Sequence, residues 1–218
     1  MRLQSAIFDM DGTLLDSMFI WDDLGAGMLR DIGITPEEDL SEKLKVLTLR
    51  QGAAYCKERY ALPQSVEEIV SLIEGRVEKF YKEEVQAKPG VAKFLSLLKM
   101  EGVWMYVATA TDRHLAQAAL RHAGIDGYFR GMITCQEVGA GKDSPEIYER
   151  AMRRLHSNKR DTVIFEDALH AIETAKAAGF RVCAVYDPYA EAEQDKIRAI
   201  SDYYIRSFED MFTTDTLA

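Results

Sequence analysis

Ala6-Ile7-Phe8-Asp9-Met10-Asp11-Gly12-Thr13-Leu14 is an apolar run that stops at two aspartates spaced by one residue. The same pattern returns downstream. Val103 to Ala108 leads into Thr109, Thr162-Val163-Ile164-Phe165 leads into Glu166-Asp167, and Arg181 to Val185 leads into Tyr186-Asp187. Gly131 to Cys135 is a weaker run, and Tyr203-Tyr204-Ile205 is a short last one. Apolar runs this continuous suit parallel strands covered on both faces.

Helical patterns fill the gaps. Pro89 to Lys99 places Val91, Phe94, Leu95 and Leu98 on one stripe, and Arg113 to His122 stops before Gly124. Ser144-Pro145 reads as cap and first turn of a helix to about Leu155, and Ala168 to Ala178 stops at Gly179. Alternating strand and helix define an α/β class with a Rossmann-like parallel sheet. Between Ser17 and about Ala87 the alternation fails: Met18 to Ile32, Leu49 to Tyr60 and Val66 to Lys82 all read as helices, punctuated by Gly33, Pro36 and Pro63. The expected organisation is an α/β catalytic core from residues 1–16 and 88–218, with an all-helical cap domain inserted at 17–87. Hinges are expected near Leu15-Asp16 and Ala87-Pro89.

Composition narrows the function. Hydrophobic residues at 47% and charged residues at 29% suit a globular chain with a sizeable core. A net charge of −9 disfavours nucleic acid and anionic lipid as partners. No stretch approaches the roughly 20 apolar residues of a membrane span, and the N-terminus lacks the long apolar core of a secretory signal. Cys56, Cys135 and Cys183 are odd in number and show no Cys-x-x-Cys spacing, so zinc or a disulfide framework is not expected. The expectation is a cytoplasmic monomer with reduced thiols.

The acidic and hydroxyl residues collect at the C-terminal ends of the expected strands, the edge where open parallel sheets bind ligands. These are Asp9-Met10-Asp11-Gly12-Thr13, Thr109, Lys142 in the loop after the third run, and Glu166-Asp167. Singly each is unremarkable, since Asp-x-Asp-Gly also marks turns and Lys142 alone would be a solvated loop residue. Gly139-Ala140-Gly141-Lys142 lacks the glycine spacing of a nucleotide P-loop, and Asp143 stands where Ser or Thr is needed.

Together the four sites resemble, in order, the motifs of the haloacid dehalogenase superfamily, in the branch that carries a helical cap after the first strand. The resemblance implies a Mg²⁺-dependent phosphatase acting on a small phosphorylated metabolite. Asp9 would be the nucleophile that forms an aspartyl-phosphate, and Asp11 the acid that protonates the leaving group and then activates water. It implies Mg²⁺ on the carboxylates of Asp9 and Asp167 and the backbone carbonyl of Asp11, with Glu166 bound directly or through water. Thr109 and Lys142 would hold the phosphoryl oxygens, with backbone N–H groups around Met10-Asp11 and Ala110 completing the cradle. Trp21, Arg50 and Arg113 are candidate specificity residues. His114 and His170 follow closely on the second and fourth motifs, but surface solvation is their default.

Three other readings compete. Phosphosugar mutases of the β-phosphoglucomutase kind share the cap type and the Glu-Asp pair, but typically carry a cap histidine near position 21, where this chain has Trp21. Haloacid chemistry does not suit the Asp-x-Asp-Gly-Thr form. A non-catalytic regulatory protein would usually have lost a nucleophile or metal ligand, and none is lost here. Two departures bear on rate and loop geometry. Lys142-Asp143-Ser144-Pro145 stands in place of Lys-Pro-x-Pro, with Asp143 beside the lysine, and Ala168 and Ala171 follow the fourth motif.

Overall fold

The computed structural model describes residues 3–44 and 47–212. Its centre is a six-stranded parallel sheet. The strands are β1 (Ser5–Phe8), β4 (Trp104–Thr109), β5 (Met132–Thr134), β6 (Thr162–Glu166), β7 (Arg181–Val185) and β8 (Tyr203–Ile205), ordered β5-β4-β1-β6-β7-β8. A separate antiparallel pair joins β2 (Leu15–Asp16) to β3 (Gln86–Ala87). The two central strands, β1 and β6, are buried at every residue, which is why they carry no polar alternation. Register sets Ser5 beside Trp104 and Thr162, and Phe8 beside Val107 and Phe165. Phe8 and Phe165 stack with centroids 4.4 Å apart on one face. Ile7, Ala108, Ile164 and Val182 face the other, against Ile147, Tyr148 and Ile172.

The expected helices form as α5 (Val91–Met100), α6 (Arg113–His122), α8 (Glu146–Arg154) and α9 (Leu169–Ala177), with α10 (Gln194–Ile200) before the last strand. Gly90 precedes α5 at φ +82°, and a Cβ there would lie 2.6 Å from the Glu209 backbone nitrogen. Only glycine satisfies both demands. Ser144 does not cap α8. Pro145 occupies the cap position in helical conformation, and the Ser144 hydroxyl accepts only a long 3.4 Å bond from the Glu146 amide. The short α7 (Cys135–Val138) was not expected; Thr134 and Glu137 close it with a reciprocal capping box.

Contacts divide the chain into two compact units, Ser17–Glu84 and the residues on either side of it. The first is helical: α1 (Phe19–Asp31), α2 (Leu40–Leu44), α3 (Leu49–Arg59) and α4 (Val66–Glu83). Capping boxes at Thr48/Gln51 and Ser65/Glu68 start α3 and α4, and Met28, Leu29, Ala53, Cys56, Ile69 and Ile73 form its core. Residues 85–87, which the sequence assigns to the insertion, belong with the sheet. Gln86 and Ala87 pair with Asp16 and Leu15, and the Lys88 amide donates to the Leu14 carbonyl. A two-residue ladder is too short to give a sequence signal of its own.

Candidate active site

The sheet brings the ends of β1, β4 and β6 side by side. The chain leaves β1 with the Asp9 amide still donating to the Phe165 carbonyl at 2.9 Å, so Asp9 is held to the ladder of β6. It then turns tightly. Leu14 and Leu15 both donate to the Met10 carbonyl, Gly12 donates back to Leu15, and Gly12 adopts φ +79°. The glycine of the Asp-Gly-Thr sequence is therefore a left-handed residue that closes the loop. This turn buries Thr13 completely and aims its hydroxyl at Asp167 Oδ1, 2.7 Å away.

Asp9, Glu166 and Asp167 are 5%, 1% and 4% exposed. Each offers a carboxylate oxygen within 4.8 Å of the other two. Lys142 enters from the loop before α8, itself 8% exposed, and binds Asp9 Oδ1 and, at 2.8 Å, Glu166 Oε2. Glu166 is further held by the Tyr148 hydroxyl at 3.1 Å and by the Ala168 amide at 3.4 Å.

Three buried carboxylates against one ammonium leave a surplus of negative charge. Burial first, and then Glu166, push the Asp9 carboxyl well above the usual carboxylate range despite Lys142. Burial and Glu166 likewise raise Asp167 to about 7, although the Thr13 hydrogen bond acts the other way. Burial alone would lower Lys142, but Asp9 and Glu166 outweigh it and keep the ammonium charged. Clustered hard oxygen donors with uncompensated charge fit a divalent cation such as Mg²⁺.

On the β4 side Thr109 is fully buried, and its hydroxyl oxygen accepts from the Thr111 amide at 3.0 Å. Ala110 between them is exposed. The Thr111 hydroxyl donates to Asp11 Oδ2 at 2.6 Å, so the β1 and β4 loops are tied together. Asp143 is exposed, and its Oδ1 lies over Gly141, 2.7 Å from where a Cβ would stand. Lys142 takes its ion pairs from Asp9 and Glu166.

Asp9, Glu166, Asp167 and Lys142 thus converge, with Asp11 and Thr109 linked through Thr111. Arg113 has different partners. Its guanidinium grips Glu137 with two bonds, of 2.6 and 2.8 Å, and donates to the Met132 carbonyl. Met132 opens β5 and Glu137 lies on α7, so Arg113 braces the sheet's edge strand, and the structure gives it no carboxylate of the cluster as partner. His114 and His170 are exposed. In the helical unit Trp21 lies on α1, 42% exposed, and Arg50 lies exposed on α3, paired with Glu67.

Sequence reasoning missed Thr111 and Tyr148, and it gave Thr13 no role. Thr13 was at least visible as the last polar residue of the first motif. Tyr148 sits on the apolar stripe of α8 with Ile147 and Ala151, and nothing in the sequence separates it from core.

The profile of haloacid dehalogenase-like hydrolases matches residues 6–185, and the chain belongs to that family, in the branch that holds phosphatases and a phosphoglucomutase. It is 28% identical over 177 residues to the phosphorylated carbohydrates phosphatase of Thermotoga maritima, covering 81% of this chain and 82% of the other. It is 25% identical to hexitol phosphatase B of Escherichia coli K12, covering 99% and 97%. A Thermotoga maritima crystal structure provisionally assigned as a beta-phosphoglucomutase superposes with a TM-score of 0.84 at 25% identity, over 99% of this chain and all of that one. Among the described residues no helix is long and apolar enough to cross a membrane.

Proposed function

We propose that the chain is a Mg²⁺-dependent phosphatase that hydrolyses a small phosphorylated carbohydrate through an aspartyl-phosphate on Asp9. The observation that carries this reading is the buried cluster of Asp9, Glu166, Asp167 and Lys142. The two curated relatives named above, a phosphorylated carbohydrates phosphatase and a hexitol phosphatase, support the substrate class.

Asp9, Asp167 and the Asp11 carbonyl would hold the cation, with Glu166 reaching it directly or through water. When bound, the cation offsets the negative charge that would otherwise keep a carboxylate from a phosphate dianion. An Asp9 carboxylate oxygen bonds to phosphorus as the phosphorus–ester oxygen bond breaks. The electron pair leaves on that oxygen, which takes the proton of the Asp11 carboxyl. Asp11, now ionised, removes a proton from water as the water oxygen bonds to phosphorus and the Asp9–phosphorus bond breaks. Inorganic phosphate leaves, and both aspartates return to their starting states. Lys142 holds a phosphoryl oxygen and the Asp9 carboxylate together. Thr109, which already accepts from Thr111, keeps its hydroxyl proton for a second phosphoryl oxygen.

Phosphate release from a panel of hexitol, hexose and pentose phosphates, with Mg²⁺ or with chelator, tests this. Release that needs Mg²⁺ supports it, and a panel without release sinks it. The likeness to the Thermotoga maritima structure provisionally assigned as a beta-phosphoglucomutase favours a second reading, phosphosugar mutase. Isomerisation of β-glucose 1-phosphate faster than its hydrolysis would select that reading. In the helical unit we assign substrate choice to Trp21 and Arg50. Arg50→Ala should change relative kcat/KM across the panel, and unchanged ratios would remove it from that role.

A further inference from the structure

Asp11 is more exposed than Asp9, Glu166 and Asp167, and its carboxylate needs a fixed direction to serve one oxygen atom in two successive steps. A hydrogen bond from a distant part of the chain reaches it. The Thr111 hydroxyl, 100 residues away, donates to Asp11 Oδ2 at 2.6 Å. Thr111 is itself rigidly held, because its amide donates to the Thr109 hydroxyl at 3.0 Å. Thr109 is fully buried and ends β4 in register with Thr134 of β5.

We propose that Thr111 is a positioning residue for Asp11 that fixes the rotation of its carboxyl; the proposal rests on the reading of Asp11 as acid and base. The Thr111 hydroxyl donates to Oδ2, and a carboxyl oxygen accepts such a bond whether the group is ionised or not. In the first step the Asp11 carboxyl gives its proton to the departing alkoxide as the ester bond breaks. In the second, the Asp11 carboxylate takes a proton from the attacking water. Thr111 keeps Oδ2 occupied throughout and neither gains nor loses a proton. The same two bonds join the acid to Thr109, so the group that protonates the leaving oxygen and the group that holds the phosphoryl move as one piece.

The test uses leaving-group chemistry. Nitrophenolate departs without help, whereas a sugar alkoxide needs the proton. kcat/KM reports transfer to Asp9 and is blind to the later hydrolysis. Thr111→Val, Thr111→Ser and Asp11→Asn would be compared with wild type on p-nitrophenyl phosphate and on the fastest sugar phosphate of the panel. A positioned general acid is worth roughly 10²–10⁴-fold. Thr111→Val should therefore lose about tenfold or more in kcat/KM on the sugar phosphate and less than about threefold on the nitrophenyl ester. Thr111→Ser should restore most of that loss, and the Mg²⁺ concentration for half-maximal rate should not move. Equal losses on both esters, no loss on either, or failure of serine to rescue would overturn the role of Thr111 while leaving that of Asp11 intact. If Asp11→Asn itself shows no steeper loss on the sugar phosphate, the acid reading falls, and the positioning role falls with it.

Discussion

Replacing Lys142 by methionine keeps most of the side-chain volume and removes the only ammonium bound to Asp9 and Glu166 among the described residues. The three side chains are 7%, 7% and 1% exposed, and Nζ stands 2.8 Å from Glu166 Oε2. At an effective dielectric of about 20, a unit-charge pair at that spacing is worth roughly 6 kcal/mol before desolvation. Desolvation of the ammonium cancels much of this, and the lasting cost is that of the stranded carboxylates, about 3–5 kcal/mol. Protonation caps the loss, because burial already lifts the Asp9 carboxyl well above its ordinary range. In chelator near pH 8, a loss of about 3 kcal/mol should lower Tm by roughly 6–12 °C. The sign with pH follows from those raised carboxyls. The folded state holds more protons than the unfolded chain from the ordinary carboxylate range up through about pH 7, so stability falls as pH rises through that window. Loss of Lys142 raises them further, and the gap to wild type should widen from about pH 5 to about pH 8. Mg²⁺ should narrow the gap by supplying the missing charge, while kcat at saturating Mg²⁺ falls roughly 10²–10³-fold. Thermal melts of both proteins across pH, with and without Mg²⁺, would measure this. A gap that ignores both pH and Mg²⁺ would refute the electrostatic reasoning.

Three further outcomes are expected. Thr13→Val removes the 2.7 Å bond to Asp167 and should weaken Mg²⁺ binding about 10–100-fold, read by calorimetric titration; unchanged affinity would deny Thr13 that role. Asp167 is raised to about 7, and ligands must be deprotonated to bind a cation, so Mg²⁺ affinity should fall as pH drops from about 8 to about 6; a flat profile would count against Asp167 as a ligand. Gly90→Ala forces a Cβ into the Phe208 and Glu209 backbone at an unfavourable φ and should cost about 1–3 kcal/mol, seen as a lower Tm with kcat retained.

Much of the sheet was legible because a strand buried on both faces writes itself as an uninterrupted apolar run. Ala6-Ile7-Phe8 and Thr162-Val163-Ile164-Phe165 are such runs, and the acids that end them mark the edge where the site forms. What stayed hidden depends on pairing across distance. The β2–β3 ladder has two residues per strand, and its partners are separated by the whole helical unit. Thr111 and Tyr148 act through single hydrogen bonds to Asp11 and Glu166, which composition and period do not encode. Arg113 reads in the sequence as a cation placed just after Thr109, and its ion pair with Glu137 is not encoded there. Ser144-Pro145 has the composition of a cap, but α8 begins only at Glu146.

Covalent chemistry at Asp9 can be tested by trapping the intermediate. The enzyme would be mixed with its fastest sugar phosphate and Mg²⁺, quenched in acid within a turnover, and digested for mass spectrometry. One phosphoryl group is expected on the peptide that carries Asp9, absent without Mg²⁺, and the Asp9→Asn variant should show neither adduct nor turnover. Turnover by Asp9→Asn at the wild-type rate, or a phosphoryl group on a different residue, would contradict it.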